Sequence, residues 1–198
     1  MRRILIAVPT IEYIETTTFE SIYAMTIPSG YDATFLAYRG YQVADVRNHI
    51  ANKVVLGEGY DYVFFVDSDI ILPPDTLVKL LGHQKEVISG IYTRKKPGAK
   101  IIEVFVKDEE RVGPINPRLL EPQGLYQVHG GGLGCTLIQH DVFRTIGYPQ
   151  FQYSYSLDPG QVMSEDLFFF QKVADHNIPV WVDSSIRCGH IGKTVFTP

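Results

Sequence analysis

The residues best placed to do chemistry are Asp67 and Asp69, in the run Val66-Asp67-Ser68-Asp69-Ile70. They directly follow Tyr62–Val66, the most hydrophobic segment of the chain. In an extended chain, residues two apart point the same way, so the two carboxylates project together. Carboxylates held side by side at a strand's carboxyl end repel each other unless a cation sits between them. Oxygen ligands suit Mg²⁺ or Mn²⁺, and open α/β sheets bind ligands beyond the carboxyl ends of their strands. A calcium EF-hand loop is excluded, because Leu72 stands where glycine is needed and Val78 where the bidentate Glu belongs. The competing reading is a polar strand-to-helix turn with an Asp at a cap.

Five further groups are candidates. Glu165-Asp166 follows Ser164 at the start of a helical pattern. Acidic residues there suit the helix dipole, and the same place suits a general base facing a substrate. His190, in Cys-Gly-His-Ile-Gly-Lys, lies between two glycines with Lys193 close behind. Such a segment can close over a metal and its phosphates, or the histidine can be structural. Gly130, Gly131, Gly132 and Gly134 are neither a dinucleotide fingerprint, since Cys135 stands where the third glycine belongs, nor a Walker A loop. They allow backbone to approach a ligand or form a strained turn. Thr93-Arg94-Lys95-Lys96-Pro97 and Arg47-Asn48 supply cations that could compensate a diphosphate or simply be solvated.

These groups need elements to position them. Ile4–Val8 reads as a buried parallel strand and Ile11–Met25 as a helix, with Ile11, Ile14, Phe19, Ile22 and Tyr23 on its apolar face. Ala33–Tyr38 reads as a strand, Val43–Leu56 as a helix, Tyr62–Val66 as a strand, and a helix begins near Asp75 behind Pro73-Pro74. Glu86–Tyr92 completes the alternation, which implies βαβ units and a mostly parallel sheet. The second half is less regular. Ile101–Val106, Leu125–His129, Cys135–Gln139 and Val180–Asp183 read as strands, while His140–Ile146 and Ser164–His176 read as helices. A polar loop holds Pro114, Pro117 and Pro122, and Gln150–Gln161 is an aromatic loop. With no repeat or linker, the expectation is one α/β domain over residues 1–198. Residues 1–92 would be its regular half and 93–198 its irregular half.

Composition narrows the partners. Eighteen Lys+Arg against 22 Asp+Glu give −4, and 45% hydrophobic with 20% charged residues is ordinary globular usage. A mildly acidic chain without a long basic run is not expected to coat nucleic acid. Cys135 and Cys188 match no zinc spacing and are expected to be reduced and buried. The opening MRRILIAVPT loses its apolar run at Pro9, too early for a signal-peptide core or a membrane span. The expected location is the cytoplasm.

In this order, the segments resemble a nucleotide-diphospho-sugar glycosyltransferase of the GT-A fold, close to the family 2-like group. Ile6-Ala7-Val8-Pro9-Thr10 resembles the opening strand and loop that touch the nucleotide in the family, and Arg47-Asn48 its Arg-Asn pair before the metal strand. Val66–Ile70 followed by Pro73-Pro74-Asp75 is similar to the DxD motif and the helix behind it. Gly131-Gly132-Leu133-Gly134 is similar to the glycine-rich donor and acceptor loop. Ser164-Glu165-Asp166 is similar to the ED motif, and His190-Ile191-Gly192 to the C-terminal histidine that completes the metal site. One departure stands out: Tyr38-Arg39 replaces the Asp that contacts the base in many members.

The resemblance implies a GT-A (Rossmann-like), mostly parallel sheet flanked by helices, with a small mixed β region in the second half, residues 1–92 being the nucleotide-binding half and 93–198 the half for the acceptor and donor sugar. It implies glycosyl transfer from a nucleotide-diphosphate sugar, with a UDP-sugar favoured, to a hydroxyl on a glycan, lipid or protein acceptor. Asp67, Asp69 and His190 would hold Mn²⁺ or Mg²⁺, and Asp166 would be the base, with Glu165 beside it. The donor would meet Pro9, Thr10, Glu12, Arg47, Asp67, Ser68, Arg94, Gly131, Gly132 and Lys193. Inversion follows if Asp166 is the base, while a retaining outcome stays open. Only eight residues follow His190, so a minimal catalytic domain is expected, its acceptor specificity set by the aromatic loop at Phe151–Tyr155 or by a partner. The rival activities are a sugar-1-phosphate nucleotidyltransferase and a non-catalytic sugar-nucleotide or glycan-binding module. The former would carry a glycine-rich, basic loop where Pro9-Thr10-Ile11-Glu12 stands.

Overall fold

Tyr62–Val66 forms a strand in which every residue is buried, as its unbroken apolar run predicts for a strand covered on both faces. The computed structural model that places it describes residues 1–95, 101–108, 111–116, 120–155, 162–192 and 195–196.

The chain opens with β1 (Arg2–Thr10), α1 (Thr16–Tyr23) and β2 (Tyr31–Arg39). A continuous helical stretch follows, made of α2 (Val43–His49), a π-helical segment (Ile50–Val55) and α3 (Leu56–Glu58). Next come β3 (Tyr62–Val66), β4 (Ile70–Ile71), α4 (Thr76–Gly82) and β5 (Val87–Ile91). The second half holds β6 (Val104–Asp108), β7 (Arg111–Pro114), β8 (Leu125–Val128), β9 (Gly130–Gly131), β10 (Cys135–Gln139) and α5 (His140–Ile146). It ends with β11 (Ser154–Tyr155), β12 (Val162–Met163), α6 (Glu165–Asp175), β13 (Val180–Arg187), β14 (Gly189–Ile191) and β15 (Val195–Phe196).

Seven strands form the central sheet in the order β2-β1-β3-β10-β5-β13-β8. Strands β10 and β8 run against the other five. This is the expected mostly parallel sheet, with smaller sheets β15-β14-β4 and β7-β6-β9 beside it. Alternation along β1 and β3 builds two cores. Leu5, Ala7, Val63 and Phe65 face the layer of Ile50, Phe143, Phe169 and Phe170. Ile4, Ile6, Val8, Phe64 and Val66 face Ile22, Leu77 and Leu80.

The topology gathers the site. The carboxyl ends of β1, β3, β5 and β13 deliver Thr10, Asp67, Tyr92 and Cys188 to one rim of the sheet. Because β10 runs oppositely between β3 and β5, its amino end brings the glycine cluster to that same rim.

Several local expectations are corrected. Helix α1 starts at Thr16 rather than Ile11, and residues 11–14 form a loop. Its inward face carries Thr18, Ser21 and Ile22, leaving Phe19 and Tyr23 exposed. Ser21 explains the rotation: its hydroxyl donates to the Thr18 carbonyl and accepts the Leu72 N–H at 3.1 Å, satisfying polar groups that the apolar period ignores. Strand β13 runs on to Arg187 with an irregularity after Val182, and β7 occupies part of the expected polar loop. Cys135 and Cys188 are free and buried. They lie on either side of β5, where Gly90 leaves room: a Cβ there would stand 3.0 Å from the Cys135 sulfur. Among the described residues, no helix is long and apolar enough to cross a membrane.

Candidate functional site

Arg47 organises the rim. Its place on α2 turns it inward, and it is only 3% exposed. Nη2 donates to Asp67 Oδ1 at 2.7 Å, and Nη1 donates to Glu165 Oε1. Phe65 lies beneath the guanidinium, its centroid 5.8 Å away. A solvated arginine is the default for a helix, so this burial was not readable from local pattern. Burial works against the charge on Arg47, but Asp67, Glu165 and Asp166 outweigh it and raise its pKa. Burial lifts the Asp67 carboxyl above its ordinary value, and Asp69, Asp166 and Glu165 add to the lift against the pull of Arg47. Arg47 Nε–H is buried without a partner among the described residues.

Asp69 belongs to a second cluster. Lys95 Nζ donates to its Oδ2, and His190 Nε2 stands 3.4 Å from its Oδ1. His190 Nδ1 lies 2.7 Å from the Thr93 carbonyl. A carbonyl can only accept, so Nδ1 carries a proton there. Burial raises the Asp69 carboxyl, yet hydrogen bonds from His190 and Lys95 prevail and hold it below the usual range. Each aspartate thus carries its own side-chain cation, Arg47 for Asp67 and Lys95 for Asp69, instead of sharing one between them.

Tyr92 joins the two clusters. It is buried, its hydroxyl accepts the Gly134 N–H at 3.0 Å, and its ring meets His190 edge-on at 5.3 Å. Burial, then the nearby Asp67, pushes its hydroxyl well above the ordinary value. The glycines make this contact possible. A Cβ on Gly132 would sit 1.9 Å from the Tyr92 hydroxyl, and one on Gly134 would sit 2.7 Å from Asp67 Oδ2.

Two adjoining clefts open on the rim. One, of about 290 Å³, is lined by Pro9, Thr10, Ser68, Asp69 and His190, with Arg47, Asp67 and Glu165 in its wall. The other, about 550 Å³, adds Glu12, Glu15 and Lys95 and shares Thr10, Ser68 and Asp69. Other expected residues fall elsewhere. Arg94 turns away from both clefts to Glu103, with Nε donating at 2.6 Å, and its side chain stacks toward Phe105. Gly131 and Gly132 are packed under Glu103 and Tyr92 rather than lining a cleft. Asp166 is half-buried off the cleft wall. Its Oδ1 accepts from the Ser164 hydroxyl and, at 2.9 Å, from the Leu167 N–H, although its charge reaches Arg47, Asp67 and Tyr92. Lys193, Lys96 and Lys100 lie outside the described residues.

Sequence reasoning named the segments but not which of their side chains take part. Lys95, not Arg94, faces the cleft. The Tyr153 hydroxyl bonds to Glu165, and burial together with that carboxylate pushes it up to about 12. Asn48 does not face the site; its amide holds the chain at Gln150 and Phe151, with Nδ2 donating to the Phe151 carbonyl at 2.6 Å. Phe151, expected at an acceptor site, is a core residue stacked on Phe169 at 5.0 Å.

The described architecture is similar to GT-A glycosyltransferase folds. A197 from STIV superposes with a TM-score of 0.64 at 20% identity, covering 97% of this chain and 86% of that one. GalNAc-T7, solved with UDP, GalNAc and Mn²⁺, gives 0.65 at 11% identity, covering 97% of this chain and 44% of that one. TarS of S. aureus gives 0.53 at 13% identity over 92% of this chain and 35% of that one. The chain therefore spans less than half the length of these last two. At such identities the likeness is one of fold. No protein-family model and no curated protein matches the sequence.

Proposed function

We propose that this chain is a metal-dependent glycosyltransferase that moves a sugar from a nucleotide-diphosphate donor, UDP-linked by preference, to a hydroxyl acceptor. The observation that carries this reading is the convergence of Asp67, Ser68, Asp69 and His190 on one cleft at the carboxyl ends of the parallel strands. Support comes from the fold likeness to GalNAc-T7, which was solved with UDP, GalNAc and Mn²⁺.

The donor set fits a divalent cation through Asp69 and His190. His190, its Nδ1–H committed to the Thr93 carbonyl, presents Nε2 to Asp69 Oδ1 at 3.4 Å. A backbone-held histidine is the usual outer-shell arrangement of a metal ligand, and a cation bound between Nε2 and Asp69 would replace the proton they share. Among the described residues no three metal-ligating side chains stand together, so Asp67 would contribute only through the oxygen that Arg47 leaves. A bound Mn²⁺ or Mg²⁺ would supply charge neutralisation for the departing diphosphate.

The chain's own residues do the rest. Glu165, tied to Arg47 and Tyr153, holds the guanidinium in the cleft wall. Pro9, Thr10, Glu12 and Ser68 line the donor's path, and Lys193 would add positive charge for the diphosphate. Asp166, one residue beyond Glu165 of the cleft wall, would be the base: with Oδ1 held by Ser164 and Leu167, Oδ2 is the oxygen left to take the proton from the attacking hydroxyl. Inversion follows if Asp166 stands on the face opposite the leaving group, and a retaining outcome stays open.

The test is donor hydrolysis and transfer over a panel of sugar nucleotides, with and without EDTA. Asp166→Asn is expected to lower turnover by about 10²–10⁴-fold while donor binding persists. Activity surviving metal removal overturns the metal role, and full activity in Asp166→Asn overturns the base. Saturable binding with no turnover would instead identify a binding module.

A further inference from the structure

The Lys95 ammonium sits on Asp69 Oδ2 while His190 Nε2 faces Oδ1 of the same carboxylate. The group is closed by the Thr93 carbonyl, which holds His190 from two residues before Lys95. Asp69 is further fixed through its backbone, its carbonyl accepting the Ile191 N–H at 2.8 Å. The carboxylate, the imidazole and the ammonium thus meet at one point on the wall between the two clefts. Arg94, one residue earlier, is anchored to Glu103 on the other side, and Thr93 bridges Ile102. The end of β5 is therefore held so that Lys95 alone of this pair reaches the site.

We propose that Lys95 is a tethered counter-cation that occupies the place a divalent ion takes on Asp69, so that ion binding must first displace it. This rests on the metal role proposed above. The physical reason is local charge balance. Glu12, Glu15 and Asp69 line the second cleft, and Lys95 is its one cation among the described lining residues. An ammonium on a flexible stem neutralises Asp69 without fixing a coordination geometry, and it leaves at the cost of a single, partly exposed ion pair. Tethering makes it a competitor at a fixed local concentration, so it lowers the apparent affinity for the ion without making a site of its own. Lys95 is a positioning residue in this scheme, acting through Asp69.

The experiment titrates Mn²⁺ alone into the full chain without nucleotide, reading free ion by its electron paramagnetic resonance signal. Lys95→Gln is expected to tighten Mn²⁺ binding about fivefold, the change that roughly 1 kcal/mol, the upper end for one such pair, corresponds to. Lys95→Arg, which keeps the charge, is expected to bind as the parent does, and Asp69→Asn to lose the site in either background. Equal affinity in the parent and Lys95→Gln overturns the competition while leaving the metal site standing. Weaker binding in Lys95→Gln also overturns it, by making Lys95 a helper. No Mn²⁺ bound by parent or variant overturns this inference and the metal role together.

Discussion

Arg47 shows how much one residue can hold. Its guanidinium serves two carboxylates from elements far apart in sequence, Asp67 after β3 and Glu165 at the start of α6. Removing the cation would leave two carboxylates facing each other in a site already crowded by Asp166. Breaking a buried pair from one side costs about 3–5 kcal/mol, because the remaining charge is stranded. Arg47→Met is therefore expected to lower unfolding free energy by about that amount in urea denaturation. Arg47→Lys should lose less, since it keeps the charge but not the two-pronged geometry. A loss under 1 kcal/mol for Arg47→Met would show that the carboxylates find other partners. The same crowding explains why the aspartates do not behave alike: burial and neighbours raise Asp67, while His190 and Lys95 hold Asp69 down.

At the scale of elements, α4 is pinned to β13 by one polar contact. His83, just past α4, lies 2.8 Å from Asp183 through Nε2 and Oδ2, and the Ser185 N–H donates to Asp183 Oδ1 at 2.8 Å. Burial pushes the Asp183 carboxyl up, but these hydrogen bonds outweigh it and leave it below the usual range. A depressed folded pKa means stability that is present above the unfolded value, about 3.9, and lost as pH falls through the folded value. Asp183→Asn is thus expected to cost about 1 kcal/mol at neutral pH. That gap should close below about pH 4. Thermal unfolding of both proteins between pH 3 and 7 measures it, and a gap that stays constant down to pH 3 contradicts the assignment. The helical stretch over residues 43–58 illustrates a second element-scale effect. Its sequence period predicts a helix, and a π-helical segment at Ile50–Val55 breaks the regular winding immediately after the turn that carries Arg47 and Asn48. Such segments recur at functional sites.

For the whole molecule the deciding quantity is charge. The chain is −4 overall, and the second cleft carries Glu12, Glu15 and Asp69. A nucleoside diphosphate approaching alone meets like charge, whereas one arriving with a divalent cation does not. UDP with Mn²⁺, each near 100 times its dissociation constant, should stabilise the fold by about 2.7 kcal/mol and raise Tm by about 5–10 °C. UDP in EDTA should raise it far less. Equal shifts with and without the ion would show that the cleft does not need a cation to receive the donor.

What the sequence determined by itself was local and periodic. The apolar run at Tyr62–Val66 fixed a buried strand, the alternation of strand and helix fixed a mostly parallel sheet, and Asp67 and Asp69 had to emerge at a carboxyl end. The motif order also pointed to the GT-A fold. Tertiary structure decided which side chains meet. Whether Arg94 or Lys95 enters the cleft depends on how β5 ends, and that is set by the bridge from Thr93 to Ile102 and the Arg94–Glu103 pair. The role of the glycines depended on β10 running backwards between β3 and β5, which places Gly132 and Gly134 against Tyr92 and Asp67. Arg47 stays charged while buried because Asp67 and, across 118 residues of chain, Glu165 meet it. Hydrophobic period is a property of neighbours in sequence, while ion pairing and close approach belong to neighbours in space, and no local pattern encodes the second.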